Sequence, residues 1–209
     1  MMPDPTPAAD SISPAPRKRP KPGERRVQIL QTLAAMLEQP GAERITTAAL
    51  AARLGVSEAA LYRHFAGKAQ MFEGLIEFIE SSVFGLINHI NERETDGRVQ
   101  TQRIVQMLLQ FGEKNPGMVR VMVGDALVFE DERLMQRMTQ FLDRIEAQLR
   151  QSLRLIGPDG TGEPVPAAEV SGRASVLVAF ALGRLQRYAR SGFKRLPTEQ
   201  LDLALALLT

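Results

Sequence analysis

Apolar side chains recur at helical spacing along most of this chain, and no segment alternates polar and apolar residues for long enough to predict a strand. The spacing predicts helices at about 24–39, 47–54, 57–65, 68–92, 97–115, 131–155, 167–191 and 197–208. Glycine, proline or polar caps separate these segments, and Pro197 has the position of a first-turn residue in the last one. The predicted fold class is therefore all-α.

The first 22 residues differ from the rest of the chain. They hold seven of the 13 prolines and few apolar side chains, so they cannot bury enough surface to offset the cost of ordering. The pattern predicts a disordered, basic and proline-rich arm at 1–22, a small helical head at 23–67 and a larger helical body at 68–209.

Positive charge is concentrated near the N-terminus, although the formal net charge is only +2. Residues 17–70 hold ten Lys or Arg against four Glu, whereas residues 71–209 hold 16 basic and 18 acidic residues. A basic segment on a near-neutral body is typical of a protein that approaches a polyanion, most often nucleic acid. For the short run at 17–19 alone, solubilising a tail is an equally good interpretation.

Composition excludes several kinds of site. There is no cysteine, and the two histidines lack the spacing of paired ligands on one helix face, so we expect neither a metal nor another cofactor. The longest apolar run, 176–182, is too short to cross a bilayer, and the N-terminus lacks a signal-peptide pattern, so we expect a cytoplasmic protein without membrane contact. No nucleophile, base and orienting group occur together, and the acidic run at 130–132 is typical of a helix entry, so we expect no enzymatic activity.

One segment carries a motif: residues 46–68 read TTAALAARLGVSEAALYRHFAGK. Two short helices that meet at a Gly-Val-Ser turn match a helix-turn-helix, because glycine permits the sharp reversal and serine can cap the second helix. Leu61 and Phe65, four residues apart, are expected to face the core. The opposite side of the second helix is then expected to enter the major groove of DNA.

The outward residues of this motif each allow more than one interpretation. Glu58 suits either a first-turn charge that favours the helix dipole or an acceptor for a cytosine amino group. Ala59 and Ala60 suit either contact with thymine methyl groups or simple spacing. The predicted DNA-contacting set is Thr46, Thr47, Ser57, Glu58, Ala59, Ala60, Tyr62, Arg63, His64 and Lys68.

Three members of the set are candidates for phosphate contacts. The Tyr62 hydroxyl can reach a phosphate while its ring is half-buried, and His64 can donate to phosphate or fill a structural role. Lys68 places a cation at the start of a long helix, which suits phosphate better than any internal role.

This segment resembles the signature region of the TetR-type bacterial DNA-binding proteins over residues 47–72, most strongly in Gly-Val-Ser, Leu-Tyr-Arg-His-Phe and Gly-Lys followed by Met-Phe. The resemblance implies a three-helix DNA-binding head and a helical body, with about nine helices in all. It also implies a homodimer formed through the last two long helices. Such a dimer binds double-stranded palindromic DNA whose half-sites lie about one helical turn, roughly 34 to 36 Å, apart.

From about residue 25 to the C-terminus, the chain is similar to one branch of that family, the nucleoid occlusion factors. The similarity includes RITT at 44–47, LIEFIE at 75–80, FGEKNPG at 111–117 and RIEAQLRQ at 144–151. It implies a nucleoid-associated protein that inhibits assembly of the tubulin-like division protein FtsZ while bound to many chromosomal sites.

The resemblance further implies a groove for the FtsZ tail between the fourth and fifth helices. Phe78, Lys114 and Asn115 match groove positions, with Lys114 where the branch more often has arginine. Leu86 stands where a basic residue is expected and Gln110 where glycine is expected, which predicts weaker or differently arranged FtsZ binding.

Two of these groove assignments have equally good structural interpretations. Phe78 follows the helical spacing of Leu75 and Ile79, so it is also a candidate core residue. Residues 114–117 are also an ordinary helix stop.

The commonest role of this family, a transcriptional repressor released by a small ligand, is the alternative function. A chain with no tryptophan, two tyrosines and few polar residues inside its apolar helices offers little to orient a drug-like ligand. Nucleoid occlusion is therefore the preferred hypothesis.

Overall fold

The computed structural model describes residues 23–39, 45–156 and 165–209. In these ranges the chain forms nine α-helices and a short 3₁₀ helix at Asp125–Leu127, with no strand, which confirms the all-α prediction. The helices are α1 Glu24–Leu37, α2 Thr47–Leu54, α3 Glu58–Tyr62, α4 Lys68–Arg93, α5 Gly97–Lys114, α6 Pro116–Met122, α7 Glu132–Arg154, α8 Ala167–Arg190 and α9 Leu201–Leu208. The predicted arm at 1–22 lies outside the described residues.

Side-chain caps and one glycine fix the turn between α2 and α3. The Thr46 hydroxyl accepts a hydrogen bond from the Ala49 amide at 3.1 Å at the start of α2. Gly55, with φ of 65°, ends that helix in the left-handed region where glycine carries no steric penalty. The Ser57 hydroxyl then accepts from the Ala60 amide at 3.3 Å and begins α3. The predicted helix-turn-helix is confirmed.

The second helix of this motif is shorter than the predicted 57–65. It ends at Tyr62, and the next residues turn toward α4. The Arg26 guanidinium donates a hydrogen bond to the His64 carbonyl and lies 4.2 Å from the centre of the Phe65 ring. A contact from α1 thus satisfies a carbonyl just beyond the end of the helix.

The head and the body share α4. Met71, Phe72 and Leu75, in the first turns of this helix, are buried. A Cβ atom at Gly74 would lie 3.1 Å from both terminal methyl groups of Leu30 on α1, so the two helices approach closely there. The rest of α4 packs against α5 and α7, and α5 also contacts α8.

A helix that the sequence pattern did not predict joins the body to α1. Residues 114–117 end α5, as a helix stop should, but a new helix, α6, starts at Pro116, because the first turn of a helix does not need the amide hydrogen that proline lacks. A Cβ atom at Gly117 would lie 2.0 Å from the Ala34 carbonyl oxygen, so this position of α6 requires glycine.

The last helix starts four residues later than predicted. Pro197 lies in a run of turns, and α9 begins at Leu201, so the first-turn role predicted for Pro197 is wrong. The turns are held by two contacts: Thr198 donates to the Glu113 carboxylate at 2.5 Å, and Arg184 donates to the Glu199 carbonyl at 2.7 Å. Within the described parts of the chain, no helix is both long and apolar enough to cross a membrane.

Candidate nucleic-acid interface and partner surface

One side of α3 and of the turn after it is free of the core. Leu61 and Phe65 are buried, as predicted, and the residues between and beside them project outward. Glu58, Ala59, Tyr62 and Arg63 are exposed, whereas Ala60 and the His64 side chain are half-buried. Four members of the predicted DNA-contacting set are therefore exposed on one side of α3 and the turn after it.

Three of these side chains form a hydrogen-bonded chain across α2 and α3. The Tyr62 hydroxyl donates to Thr47 Oγ1 at 3.5 Å, and Thr47 Oγ1 donates to Glu58 Oε2 at 2.7 Å. Thr47 is the first residue of α2, while Glu58 and Tyr62 are the two ends of α3. The chain therefore fixes the orientation of a surface carboxylate.

Thr46 and Ser57 are both exposed, and both serve as helix caps. Each hydroxyl oxygen accepts from a backbone amide, which leaves its own hydrogen free to donate. A capping hydroxyl at the head surface is therefore also a potential donor to a DNA phosphate.

Lys68 has an internal partner that the sequence pattern did not predict, and its contact with phosphate stays a prediction. Its ammonium group forms an ion pair with the Glu130 carboxylate and lies 5.7 Å from the centre of the Phe72 ring. The Glu130 side chain is only 9% exposed, and that of Lys68 is 28% exposed. This pair joins the start of α4 to the segment that leads into α7.

The acidic run at 130–132 is a helix entry, as predicted, but its members have separate roles. Asp131 caps α7, and hydrogen bonds from the Arg133 side chain and backbone lower the pKa of its carboxyl to about 2. Glu132 is the first residue of the helix. Among the described residues, no group of three or more His, Cys, Asp or Glu is placed to hold a metal ion.

The long-range contacts of Glu130, Arg26 and Gly117, which connect distant parts of the chain, could not be predicted from the sequence pattern. Glu130 lies 62 residues from Lys68, and Arg26 lies 38 residues from His64. Such pairings leave no local pattern in a single sequence. Only Gly117 carried a signal, since glycine one position after proline marked a break of some kind.

A second surface lies on the exposed sides of α4 and α5. Phe78 is 47% exposed and Leu86 is 44% exposed, so the interpretation of Phe78 as a core residue is wrong, although Leu75 and Ile79 are buried. Phe78 and Leu86 are eight residues apart and thus lie on one side of α4.

The α5 side of this surface is polar. Gln110 and Lys114 are exposed and lie one helical turn apart. Asn115 is half-buried, and its Nδ2 donates to the Phe111 carbonyl at 2.8 Å, so its side chain holds the end of α5. We use the name α4–α5 surface for the five groove positions that the resemblance implies: Phe78, Leu86, Gln110, Lys114 and Asn115.

The opposite side of α4 is fixed to α7. Arg137 donates two hydrogen bonds to the Glu80 carboxylate, at 2.6 and 3.2 Å, and this carboxylate raises the pKa of the guanidinium. Arg144 lies 3.8 Å from the centre of the Phe84 ring, which in turn meets Phe141 edge to face. These contacts with α7 hold the side of α4 that faces away from Phe78.

The last two helices expose a third surface. Leu207 on α9 is 81% exposed, and Leu203 on the same helix and Val176 on α8 are also exposed. On α8, nothing approaches within 4 Å of a Cβ atom built at Gly172 or Gly183. Small and apolar residues thus leave an open face on α8 and α9, of which only α8 is a long helix.

Family models match both parts of the chain. The model for bacterial regulatory proteins of the tetR family matches residues 29–75. An SlmA-like model, described as Tetracyclin repressor-like, C-terminal domain, matches residues 95–209. The first match contains the helix-turn-helix, and the second contains α5 to α9.

Curated relatives are similar over most of their length. The nucleoid occlusion factor SlmA of Photobacterium profundum is 52% identical over 180 residues, which are 85% of this chain and 90% of that protein. The nucleoid occlusion factor SlmA of Vibrio vulnificus strain YJ016 is 50% identical over 191 residues, which are 90% of this chain and 96% of that protein.

Solved structures of more distant proteins share the fold. A TetR-family transcriptional regulator from Bordetella parapertussis superposes with a TM-score of 0.68 at 15% identity, over 89% of this chain and 94% of its own. The TetR-family regulator PfmR from Thermus thermophilus gives a TM-score of 0.68 at 20% identity, over 88% of this chain and 94% of its own. The chain therefore belongs to the TetR family of bacterial regulatory proteins, in the branch that contains the SlmA nucleoid occlusion factors.

Proposed function

We propose that this chain is a nucleoid occlusion factor. In this proposal a homodimer binds palindromic sites on the chromosome through its two heads and, bound there, inhibits FtsZ assembly over the nucleoid. The observation that carries the proposal is the identity of about half of all residues to nucleoid occlusion factors over 85–90% of the chain.

The surface of the head supports DNA binding. Residues 23–67 form the DNA-binding unit in this proposal, with the buried first turns of α4 completing its core. In a helix-turn-helix, the second helix lies in the major groove and the first crosses the backbone. The exposed side of α3 and the capping hydroxyl of Thr46 at the start of α2 would meet DNA in that arrangement. The half-buried Ala60 and His64 would lie at the edge of the contact.

The open face of α8 and α9 supports a homodimer. Gly172 and Gly183 allow a second backbone to approach closely, and the exposed leucines of α9 add apolar area that association would remove from water. A two-fold dimer carries two heads, and two heads match the two half-sites of a palindrome.

The α4–α5 surface supports binding of an extended, acidic peptide such as the tail that the branch is expected to recognise. Phe78 and Leu86 offer apolar contact area, and Lys114 offers a positive charge at one end. Leucine at position 86 removes a charge that the resemblance led us to expect, so apolar contact carries a larger share of the interaction here.

One cleft in the described part of the chain bears on the alternative function, a repressor released by a ligand. A cleft of about 550 Å³ is lined by Arg98, Glu169, Arg173 and the end of α9. It opens beside Val176 and Leu207, on the face that we assign to the dimer. The partner subunit would therefore compete with a small molecule for this space.

A chromosome-wide occupancy map of the protein in its own cells tests the proposal. We expect many sites that share one palindrome, scattered over the chromosome without preference for promoters and sparse near the replication terminus. A handful of promoter sites, one of them beside its own gene, would instead indicate a conventional repressor and would overturn the proposal.

A further inference from the structure

We propose that Glu58 is a specificity-determining residue that accepts a hydrogen bond from the N4 amino group of a cytosine in each half-site. This inference rests on the proposed DNA-binding function of the head. It is drawn from the way in which neighbouring side chains hold the Glu58 carboxylate.

Only one oxygen of the Glu58 carboxylate, Oε2, accepts a hydrogen bond within the described residues. The hydroxyls of Tyr62 and Thr47 lead to Glu58 Oε2, with the last hydrogen bond at 2.7 Å. Within the described residues, no group donates to the other oxygen, Oε1, and no Lys or Arg pairs with this carboxylate. One acceptor atom is therefore held in place at the exposed start of α3.

The charge of this residue limits what it can meet on DNA. A carboxylate has only acceptor atoms, so it repels phosphates and the acceptor atoms of guanine and thymine in the major groove. Cytosine N4 and adenine N6 are the two donors available there, and adenine also presents its N7 acceptor beside the donor. A cytosine amino group is therefore the base contact that suits a single fixed carboxylate oxygen.

The Thr47 hydroxyl is the positioning group in this arrangement. Without it, the Glu58 side chain would have to be ordered when DNA binds, which costs side-chain entropy. We expect Thr47 to affect the strength of the base preference at this position, and Glu58 to determine which base is preferred.

Selection of bound sites from a library of random duplexes tests the proposal, with the full-length protein as bait. The wild-type protein is expected to enrich a palindrome with cytosine at one fixed position of each half-site. Glu58→Ala should lower the preference for that base about tenfold and leave the other positions unchanged. Glu58→Gln, which keeps the shape, should shift the position toward adenine, since a glutamine amide can both donate and accept.

Two further variants separate base reading from helix stability. Thr47→Val is expected to lower the preference for cytosine at the same position, but by less than Glu58→Ala does. Glu132→Gln removes the matching first-residue carboxylate of α7, and it should leave the selected palindrome unchanged.

The outcomes are distinguishable. If Glu58→Ala and Glu58→Gln select the wild-type palindrome at every position, Glu58 serves only as a first-turn charge and the inference is overturned. If the wild-type protein enriches no palindrome, the proposed DNA-binding function itself fails.

Discussion

The DNA-facing surface of the head and the α4–α5 surface differ in how far hydrogen bonds fix their side chains before a partner binds. On the head, Thr46 caps a helix and Thr47 holds Glu58, and just after the head Lys68 is paired with Glu130. On the α4–α5 surface, the apolar side chains of Phe78 and Leu86 are about half-exposed. Fixed polar groups suit a partner of regular geometry such as DNA, whereas exposed apolar side chains suit a peptide that adapts to the surface.

This difference implies that the two surfaces can be damaged separately. Contacts to DNA should depend on individual hydrogen bonds and on salt concentration, because phosphate neutralisation releases counterions. Contacts to a peptide should depend on a few apolar anchors and much less on salt.

The largest expected effect is that of Phe78→Ala. Loss of a central aromatic anchor should raise the concentration needed to inhibit FtsZ assembly about 30-fold, while DNA affinity stays unchanged. Polymer sedimentation and duplex titration measure the two activities. Leu155→Ala removes a similarly exposed side chain outside the surface, and it should change neither. Equal inhibition by Phe78→Ala and the wild-type protein would remove Phe78 from the partner site.

Thr46→Ala should lower DNA affinity about tenfold and leave the dimer folded. The variant loses the hydroxyl that accepts from the Ala49 amide, which costs about 1 kcal/mol of helix stability, and it loses a potential phosphate donor. Asp96→Ala removes the corresponding cap of α5, so it should lower the free energy of unfolding by a similar amount without affecting DNA binding. Undiminished affinity of Thr46→Ala would refute the phosphate role.

Lys68→Ala should weaken binding to all duplex sequences about fivefold and flatten the dependence of log K on log salt by about one unit, since each neutralised phosphate contributes roughly 0.9. Titrations at several salt concentrations give this slope. Lys114→Ala, which removes a lysine from the α4–α5 surface, should leave the slope unchanged. An unaltered slope in Lys68→Ala would exclude Lys68 from the DNA interface.

Glu130→Gln should have the smallest effect, and it should raise DNA affinity where Thr46→Ala and Lys68→Ala lower it. A DNA phosphate must compete with the Glu130 carboxylate for Lys68. Removing the charge of Glu130 should therefore raise DNA affinity about two- to threefold. The gain should vanish when Lys68→Ala is already present. Glu80→Gln breaks a different ion pair of α4 and serves as the control. A gain that persists without Lys68 would contradict the competition.

Local patterns predicted most of the helices and the outward face of α3. The caps at Thr46 and Ser57 and the left-handed Gly55 are decided within a few residues, so they can be read from a single sequence. The outward position of Glu58 and Tyr62 follows from the buried spacing of Leu61.

Features decided by distant residues could not be predicted in this way. Helical spacing placed Phe78 with the core residues, but its exposure depends on which helices pack against α4. The start of α6 at Pro116 could not be predicted, because residues 114–117 also have the pattern of a helix end. The ion pair between Lys68 and Glu130 depends on where the segment before α7 returns to the head.

FtsZ assembly in the presence of the protein, with and without the duplex obtained by selection, tests the central claim most directly. With FtsZ from the same bacterium, the account predicts that polymer mass falls when protein and matching duplex are both present, and that a scrambled duplex has a much smaller effect. Polymer mass that stays the same with the protein and its matching duplex would contradict the claim that the DNA-bound protein inhibits FtsZ.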